Sequence, residues 1–253
     1  MDVETARIAL ACLDLTSLNE NDDKAAIDTL CAKAVGPHGK VAAVCVWPRF
    51  VAQAREQLPP EVRVAAVANF PDGSTNAERA VNEAKQILDA GGDEVDLVLP
   101  YRAFMAGDPK AAAAVIDAVR RATLGRTLKL IIESGELTDE KLIRQASELG
   151  IAAGVDFLKT STGKSPVSAT IEAARTMLAA IAASKRSHEV GFKASGGIRR
   201  VDEAALYIAA TREALGADAA VPARLRFGAS GLLNDIEAVL SGATGTPPSS
   251  TGY

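Results

Sequence analysis

Three ionisable residues stand where the surrounding pattern asks for aliphatic side chains. They are Asp96 within Glu94-Val95-Asp96-Leu97-Val98-Leu99, Lys159 within Val155-Asp156-Phe157-Leu158-Lys159, and Lys193 within Val190-Gly191-Phe192-Lys193. Asp14 and Glu133 close two further apolar runs. Moving an unpaired carboxylate or ammonium into a protein interior costs several kcal/mol even after relaxation, so a chain with no use for these groups would place Leu or Val there. Taken singly, each reads as a structural ion pair or a charge at a strand end. Two lysines and an aspartate on separate strands, directed at one place, read as chemistry. Two ammonium groups within a few ångströms disfavour each other's charge and partial burial adds to the effect, so one amine can approach a pKa of ~7 and attack aldehydes or ketones. A nearby carboxylate can then carry protons during carbinolamine dehydration and carbon-carbon bond cleavage.

The elements that must position these groups are legible as an alternation of short apolar runs and Ala-rich stretches of helical period. The runs are Ile8 to Leu13, Val41 to Val46, Val62 to Val67, Glu94 to Leu99, Leu128 to Glu133, Val155 to Lys159, Val190 to Lys193, and Leu225 to Ala229. Between them, Asp22-Asp23, Ser74-Thr75-Asn76, Thr138-Asp139-Glu140, Ser168 and Asp202-Glu203 each predict a helix start. Gly36, Gly91-Gly92, Gly150 and Gly216 predict ends, and the Ser168 helix is expected to run to about Ser184. Eight βα units in a chain of 253 residues predict a (β/α)8 TIM barrel over residues 1–240, followed by a Gly/Thr/Pro/Ser-rich mobile tail at 241–253. A doubly wound sheet permits the same alternation, but no G-x-G-x-x-G follows the first run and no composition break marks a second domain.

In such a barrel the site lies at the carboxyl ends of the strands. Three segments there suit an anion: Thr160-Ser161-Thr162-Gly163-Lys164 after the sixth run, Ala194-Ser195-Gly196-Gly197-Ile198-Arg199 after the seventh, and Gly228-Ala229-Ser230-Gly231 at the eighth, opening the last helix. Glycines let backbone N–H groups approach phosphate oxygens, and a helix N-terminus adds positive potential. One Gly pair alone is an ordinary turn. Three such segments with two basic residues make Gly163, Lys164, Gly196, Gly197, Arg199, Gly228 and Ser230 candidates for binding a sugar phosphate. A Walker A loop at Gly163-Lys164-Ser165 is excluded, because that motif needs Gly where Leu158 stands.

Composition removes several other functions. With only 4% aromatic residues and 49 alanines the core must be aliphatic, with Ala-rich helices lying close on the strands, and base stacking on nucleic acid has few rings to use. A net charge of −4 offers no field for a polyanionic backbone or an anionic membrane. No apolar stretch approaches the ~18 residues of a membrane span, and the polar start Met1-Asp2-Val3-Glu4-Thr5 lacks the order of a signal peptide, so a cytoplasmic protein is expected. Cys12, Cys31 and Cys45, odd in number and in apolar surroundings, suit reduced thiols. Two histidines, His38 and His188, are too few for a His-ligated catalytic metal and argue against a Ser-His-Asp triad.

At these residues the chain resembles the deoxyribose-phosphate aldolase family. The resemblance is carried by Leu13-Asp14-Leu15-Thr16-Ser17-Leu18, Val44-Cys45-Val46-Trp47-Pro48-Arg49-Phe50, Asn69-Phe70-Pro71-Asp72-Gly73, Glu94 to Arg102, Ile132-Glu133-Ser134-Gly135-Glu136-Leu137, Phe157 to Gly163, Gly191 to Arg199, and Arg226-Phe227-Gly228-Ala229-Ser230. It implies that Lys159 forms the Schiff base, that Lys193 lowers its pKa, and that Asp96 is the acidic member of a proton relay. It also implies that Gly163, Lys164, Gly196, Gly197, Ser230 and Arg199 handle phosphate. Gly231 stands where some relatives carry a second Ser, and a terminal Tyr such as Tyr253 can assist proton transfer in the family. The expected reaction is reversible cleavage of 2-deoxy-D-ribose 5-phosphate to D-glyceraldehyde 3-phosphate and acetaldehyde, with no metal and no organic cofactor. The expected partners are the small sugar phosphate, the aldehydes and a second copy of the chain in a homodimer, with no nucleic acid and no membrane. Another Schiff-base aldolase would share the lysine chemistry with a different donor, and a phosphosugar-binding barrel without catalysis would use the lysines as anion ligands.

Overall fold

The computed structural model describes residues 2–242. Parallel strands close into a barrel in the order β1 (Leu13–Thr16), β4 (Ala43–Val46), β5 (Arg63–Ala68), β6 (Glu94–Val98), β7 (Thr127–Ile131), β8 (Phe157–Lys159), β9 (Gly191–Ser195) and β10 (Leu225–Ala229), which returns to pair with β1. A two-stranded hairpin, β2 (Val35–Gly36) and β3 (Gly39–Lys40), lies outside the barrel. The connecting helices are α2 (Lys24–Lys33), α3 (Val51–Gln57), α4 (Ala77–Asp89), α5 (Tyr101–Met105), α6 (Pro109–Ala122), α7 (Glu140–Ala152), α8 (Ile171–Ala183) and α9 (Val201–Leu215). Helix α1 (Val3–Ala11) precedes the barrel and α10 (Leu232–Leu240) follows it. No helix among the described residues is long and apolar enough to cross a membrane.

The helices start where short polar side chains accept the first free backbone donors. Asp23 accepts from Ala26 N at 2.9 Å, Asn76 from Arg79 N at 2.9 Å, Asp139 from Lys141 N at 2.9 Å and Thr170 from Ala173 N at 3.2 Å. The structure thus moves the start of α8 from Ser168 to Thr170. Gly150 is not a helix end. Helix α7 runs on to Ala152, and a Cβ on Gly150 would lie 2.6 Å from Leu130 Cδ2, so this glycine lets the helix lie directly on the sheet.

The largest correction falls on the first run. Ile8 to Leu13 is not one strand: α1 occupies Val3–Ala11 and β1 begins at Leu13. Ala6, Ala9 and Leu10 are buried at helical spacing, and Asp2 caps the helix by accepting from Glu4 N at 3.0 Å and Thr5 N at 3.3 Å. Two elements of different period abut within one unbroken apolar stretch, and the shorter one is hidden by the longer.

Barrel register places the charges. Side chains alternate along each strand, and laterally paired residues of a parallel sheet face the same way. Lys159 pairs with Lys193, Lys193 with Arg226, and Asp96 with Lys129. All five side chains therefore point into the barrel, among an otherwise aliphatic interior.

Candidate active site

The barrel interior holds seven ionisable side chains joined by ion pairs, all buried: Asp14, Glu94, Asp96, Lys129, Lys159, Lys193 and Arg226. Asp96 is the hub. Its Oδ2 accepts from Lys159 Nζ at 2.9 Å and from Lys193 Nζ at 2.8 Å, and its Oδ1 accepts from Lys129 Nζ at 2.8 Å. The two amines singled out in the sequence therefore share one carboxylate oxygen, which fixes them no farther apart than two hydrogen bonds laid end to end. Lys193 is held from its other side by Asp14 Oδ2 at 2.5 Å. Below this layer Arg226 bridges Asp14 Oδ1 at 2.6 Å and Glu94 Oε1 at 3.0 Å, and Lys129 meets Glu94 Oε2 at 2.5 Å.

Four cations face three carboxylates. Each carboxylate oxygen has a cationic partner, whereas Lys159, the last residue of β8, touches a carboxylate only at Asp96 among the described residues. Burial alone would favour the neutral forms of Asp14, Asp96 and Lys193, but their ion pairs outweigh it. Against that desolvation, Lys129, Lys159 and Lys193 hold the Asp96 carboxyl well below the usual carboxylate range, and Lys193, Arg226 and Lys129 do the same for Asp14. Conversely, Asp14 and Asp96 overcome the desolvation of Lys193 and raise its pKa, keeping it a fixed ammonium. Cys45 Sγ lies 3.9 Å from Asp96 Oδ2, and burial together with that carboxylate pushes the thiol pKa up, away from the reactive thiolate.

Above the cluster, the loops after β8 and β9 meet. Gly163, Gly196 and Gly197 have φ of 80°, 85° and 84°, a left-handed backbone that favours glycine. A Cβ on Gly196 would lie 3.4 Å from Gly163 Cα, while Gly197 is exposed with open space around it. Ser230 is exposed at the start of α10, whose cap residue Gly231 brings no side-chain acceptor to the first N–H groups. The stem of exposed Arg199 lies over Gly231, 3.8 Å from where a Cβ would be, and Arg199 forms no ion pair with any described residue. These residues gather on one rim.

Lys164 and Gly228 sit differently. Lys164 Nζ donates to Leu18 O at 2.8 Å, tying the β8 loop to the segment after β1. Gly228 lies within β10 facing the interior, where a Cβ would come 2.2 Å from Ser195 Oγ and 3.1 Å from Lys193 Cε. Its role in the structure is to leave room for those two side chains. Glu133 lies beyond β7 at φ 55° and accepts from Thr162 Oγ1 at 2.6 Å and Ser165 Oγ at 3.0 Å, so it moors the β8 loop. Tyr253 lies outside the described residues.

A model of the DeoC/LacD family aldolases matches residues 8–238. A deoxyribose-phosphate aldolase of Agrobacterium fabrum strain C58 is 49% identical over 242 residues, covering 94% of this chain and 93% of the relative. The chain belongs to the DeoC/LacD aldolase family. Among solved structures, a Coccidioides immitis protein assigned as a deoxyribose-phosphate aldolase is 31% identical with a TM-score of 0.82, covering 93% of this chain and 86% of that one. An Aeropyrum pernix deoxyribose phosphate aldolase, described as having a unique tetrameric structure, is 23% identical with a TM-score of 0.73 over 94% and 97% of the two chains; at that identity the likeness is one of fold. Family membership makes the seven-charge cluster part of an aldolase barrel.

Sequence reasoning singled out Asp96, Lys159 and Lys193 but passed over Lys129, Glu94 and Arg226. The same signal was present for Lys129 and Arg226: each is a cation in the middle of an apolar strand, in Thr127-Leu128-Lys129-Leu130-Ile131 and Leu225-Arg226-Phe227-Gly228-Ala229. Nor did it notice the buried hydroxyls of Ser134, Ser161 and Ser195, which have no hydrogen-bond partner among the described residues.

Proposed function

We propose that the protein cleaves 2-deoxy-D-ribose 5-phosphate reversibly to D-glyceraldehyde 3-phosphate and acetaldehyde through a Schiff base on Lys159. The observation that carries this reading is the single Asp96 oxygen shared by Lys159 and Lys193 at 2.9 and 2.8 Å. The 49% identity to a deoxyribose-phosphate aldolase over nearly the whole chain supports the substrate. Loss of one proton from a cluster of four cations and three carboxylates leaves it electrically balanced, and Lys159 is the cation with the fewest carboxylate contacts.

The free amine of Lys159 attacks the C1 aldehyde of the open-chain sugar, and water leaves to form an iminium. The C2–C3 bond then breaks, its electron pair neutralising the iminium to an enamine, while the C3 hydroxyl proton passes through water to Asp96 and C3 becomes an aldehyde. This timing follows from electrostatics. Asp96 is a poor proton acceptor while three cations surround it, and discharge of the iminium removes one of them, so its proton affinity rises as the proton must be taken. Lys193, fixed as an ammonium by Asp14 and Asp96, keeps positive charge beside the reacting nitrogen and holds the relay carboxylate in place. Protonation of the enamine at C2 and hydrolysis release acetaldehyde. Gly163, Gly196, Gly197, Arg199 and Ser230 are assigned to the phosphate, supported by the glycine turns and the α10 N-terminus on the same rim, and Lys164 would join them by exchanging its bond to Leu18 O for one to a phosphate oxygen.

Reduction with borohydride in the presence of acetaldehyde tests the reading. The expected product is an ethyl group on the peptide containing Lys159. A protein that binds the sugar phosphate yet gains no label there would instead be a binding barrel. We also infer a cytosolic homodimer with the aldolase barrel at residues 1–240; light scattering in solution checks the subunit number.

A further inference from the structure

The Ser195 hydroxyl, like those of Ser134 and Ser161, is a buried polar group whose oxygen has no hydrogen-bond partner among the described residues. Ser195 follows Lys193 by two residues on β9, so the period of the strand turns both side chains to the same, inward face. Gly228 confirms the direction: it faces inward like Arg226, two residues before it on β10, and the point where its Cβ would stand is 2.2 Å from Ser195 Oγ and 3.1 Å from Lys193 Cε. The hydroxyl and the end of Lys193 therefore flank the same small space. On its other side, Ser195 leads directly into Gly196-Gly197 at the phosphate rim. The backbone around it is used: Ser195 N donates to Thr160 Oγ1 at 3.0 Å, and Ser195 O accepts from Thr160 Oγ1 at 3.2 Å. Only the side-chain oxygen is left over. Burying a hydroxyl without a partner is unfavourable, and Ala would fill the same position without that cost.

Resting on the aldolase reading, we propose that Ser195 is a specificity-determining residue that hydrogen-bonds the C4 hydroxyl of the sugar phosphate, which is the hydroxyl adjacent to the aldehyde in glyceraldehyde 3-phosphate. With C1 on Lys159 and the phosphate at the Gly196-Gly197 rim, the substrate carbons between them pass Ser195. C2 carries no oxygen, the C3 hydroxyl belongs to the Asp96 relay, and the C4 hydroxyl, next to the phosphate-bearing carbon, is the one that falls beside the residue preceding Gly196.

The test is a cycle in which the enzyme hydroxyl and the substrate hydroxyl are each removed. Wild type and Ser195→Ala are compared in the condensation of acetaldehyde with glyceraldehyde 3-phosphate and with 3-oxopropyl phosphate, which lacks only that hydroxyl. The expected result is a loss of about tenfold in kcat/KM for the hydroxylated acceptor on substitution, and a loss at least fivefold smaller for the deoxy acceptor. Equal losses for both acceptors, or no loss for either, would overturn the assignment. Acetaldehyde and borohydride separate this from failure of the aldolase reading: a wild type that takes no label at Lys159 removes the reading itself, whereas labelled proteins with equal losses remove only Ser195. Unchanged thermal unfolding of the variant excludes a folding defect as the source of a selective loss.

Discussion

The floor and the mouth of this barrel solve the same task, holding charge inside a protein, by opposite means. On the floor, Asp14, Glu94, Asp96, Lys129, Lys193 and Arg226 satisfy one another, oxygen by oxygen, from positions fixed by strand register. At the mouth, Gly163, Gly196 and Gly197 turn the backbone at positive φ and α10 starts without a side-chain cap, with Arg199, which forms no ion pair among the described residues, over Gly231. A network that is complete without ligand is rigid and costly to cut. A rim of glycine turns and an uncapped helix start contributes little to stability and is free to bind. Lys159 lies at the seam, at the end of β8 and attached to the floor by one ion pair.

That difference predicts opposite responses to two methionine substitutions. Lys159→Met should lower kcat by about 10⁴-fold or more, the scale seen when a covalent catalyst is removed. It should leave stability nearly unchanged, because it removes the cation in excess. Steady-state turnover and thermal unfolding measured on the same preparation check both halves, and retention of more than about 1% of turnover would break the assignment of Lys159. Lys129→Met should do the reverse in stability. It strips a partner from Asp96 Oδ1 and from Glu94 Oε2 inside a buried network, a change that costs roughly 3–5 kcal/mol. Urea unfolding measures it, and a loss under about 1 kcal/mol would mean the floor is less complete than the geometry indicates.

The rim predicts a smaller and more selective effect. Gly197→Ala places a side chain at φ 84°, in open space, so the penalty is backbone strain of roughly 1–2 kcal/mol rather than a clash. Reorientation of the neighbouring N–H groups should raise KM for deoxyribose 5-phosphate about tenfold while changing kcat/KM for unphosphorylated deoxyribose much less. Equal losses on the two sugars would remove Gly197 from the phosphate site.

How far the sequence could reveal each region follows from the same contrast. Asp96, Lys159 and Lys193 were legible because a charge in an apolar strand is conspicuous whatever surrounds it. Lys129 and Arg226 carried that signal too, but their meaning depends on which strands become neighbours and in what register, and that is set by barrel closure. The first strand was misplaced because α1 and β1 share one apolar stretch, and Ser195 escaped notice because a buried unpaired hydroxyl is defined only by what does not touch it. At the mouth, glycine and basic residues were visible in sequence, yet Gly228 belongs to the floor: its missing side chain makes room for Ser195 and Lys193.

The smallest expected effect is an absence of slope. Asp14 and Asp96 are held below the ordinary carboxylate value of ~3.9, and Lys129 and Lys193 above the ordinary lysine value of ~10.4. Carboxylates of depressed pKa contribute stability that is present above the unfolded-state value and lost as pH falls, because the unfolded chain then binds protons that the folded one refuses. Lysines of raised pKa contribute stability that is full below the unfolded-state value and lost as pH rises, because the unfolded chain releases protons that the folded one keeps. The two windows leave a plateau. The stability difference between wild type and Lys129→Met, taken from urea unfolding at successive pH values, isolates the cluster from surface groups. It should be constant from about pH 5 to 9, shrink below about pH 4 and shrink again above about pH 10. A slope within the plateau would show that a floor group titrates there, and the division between a closed floor and an open mouth would have to be redrawn around that group.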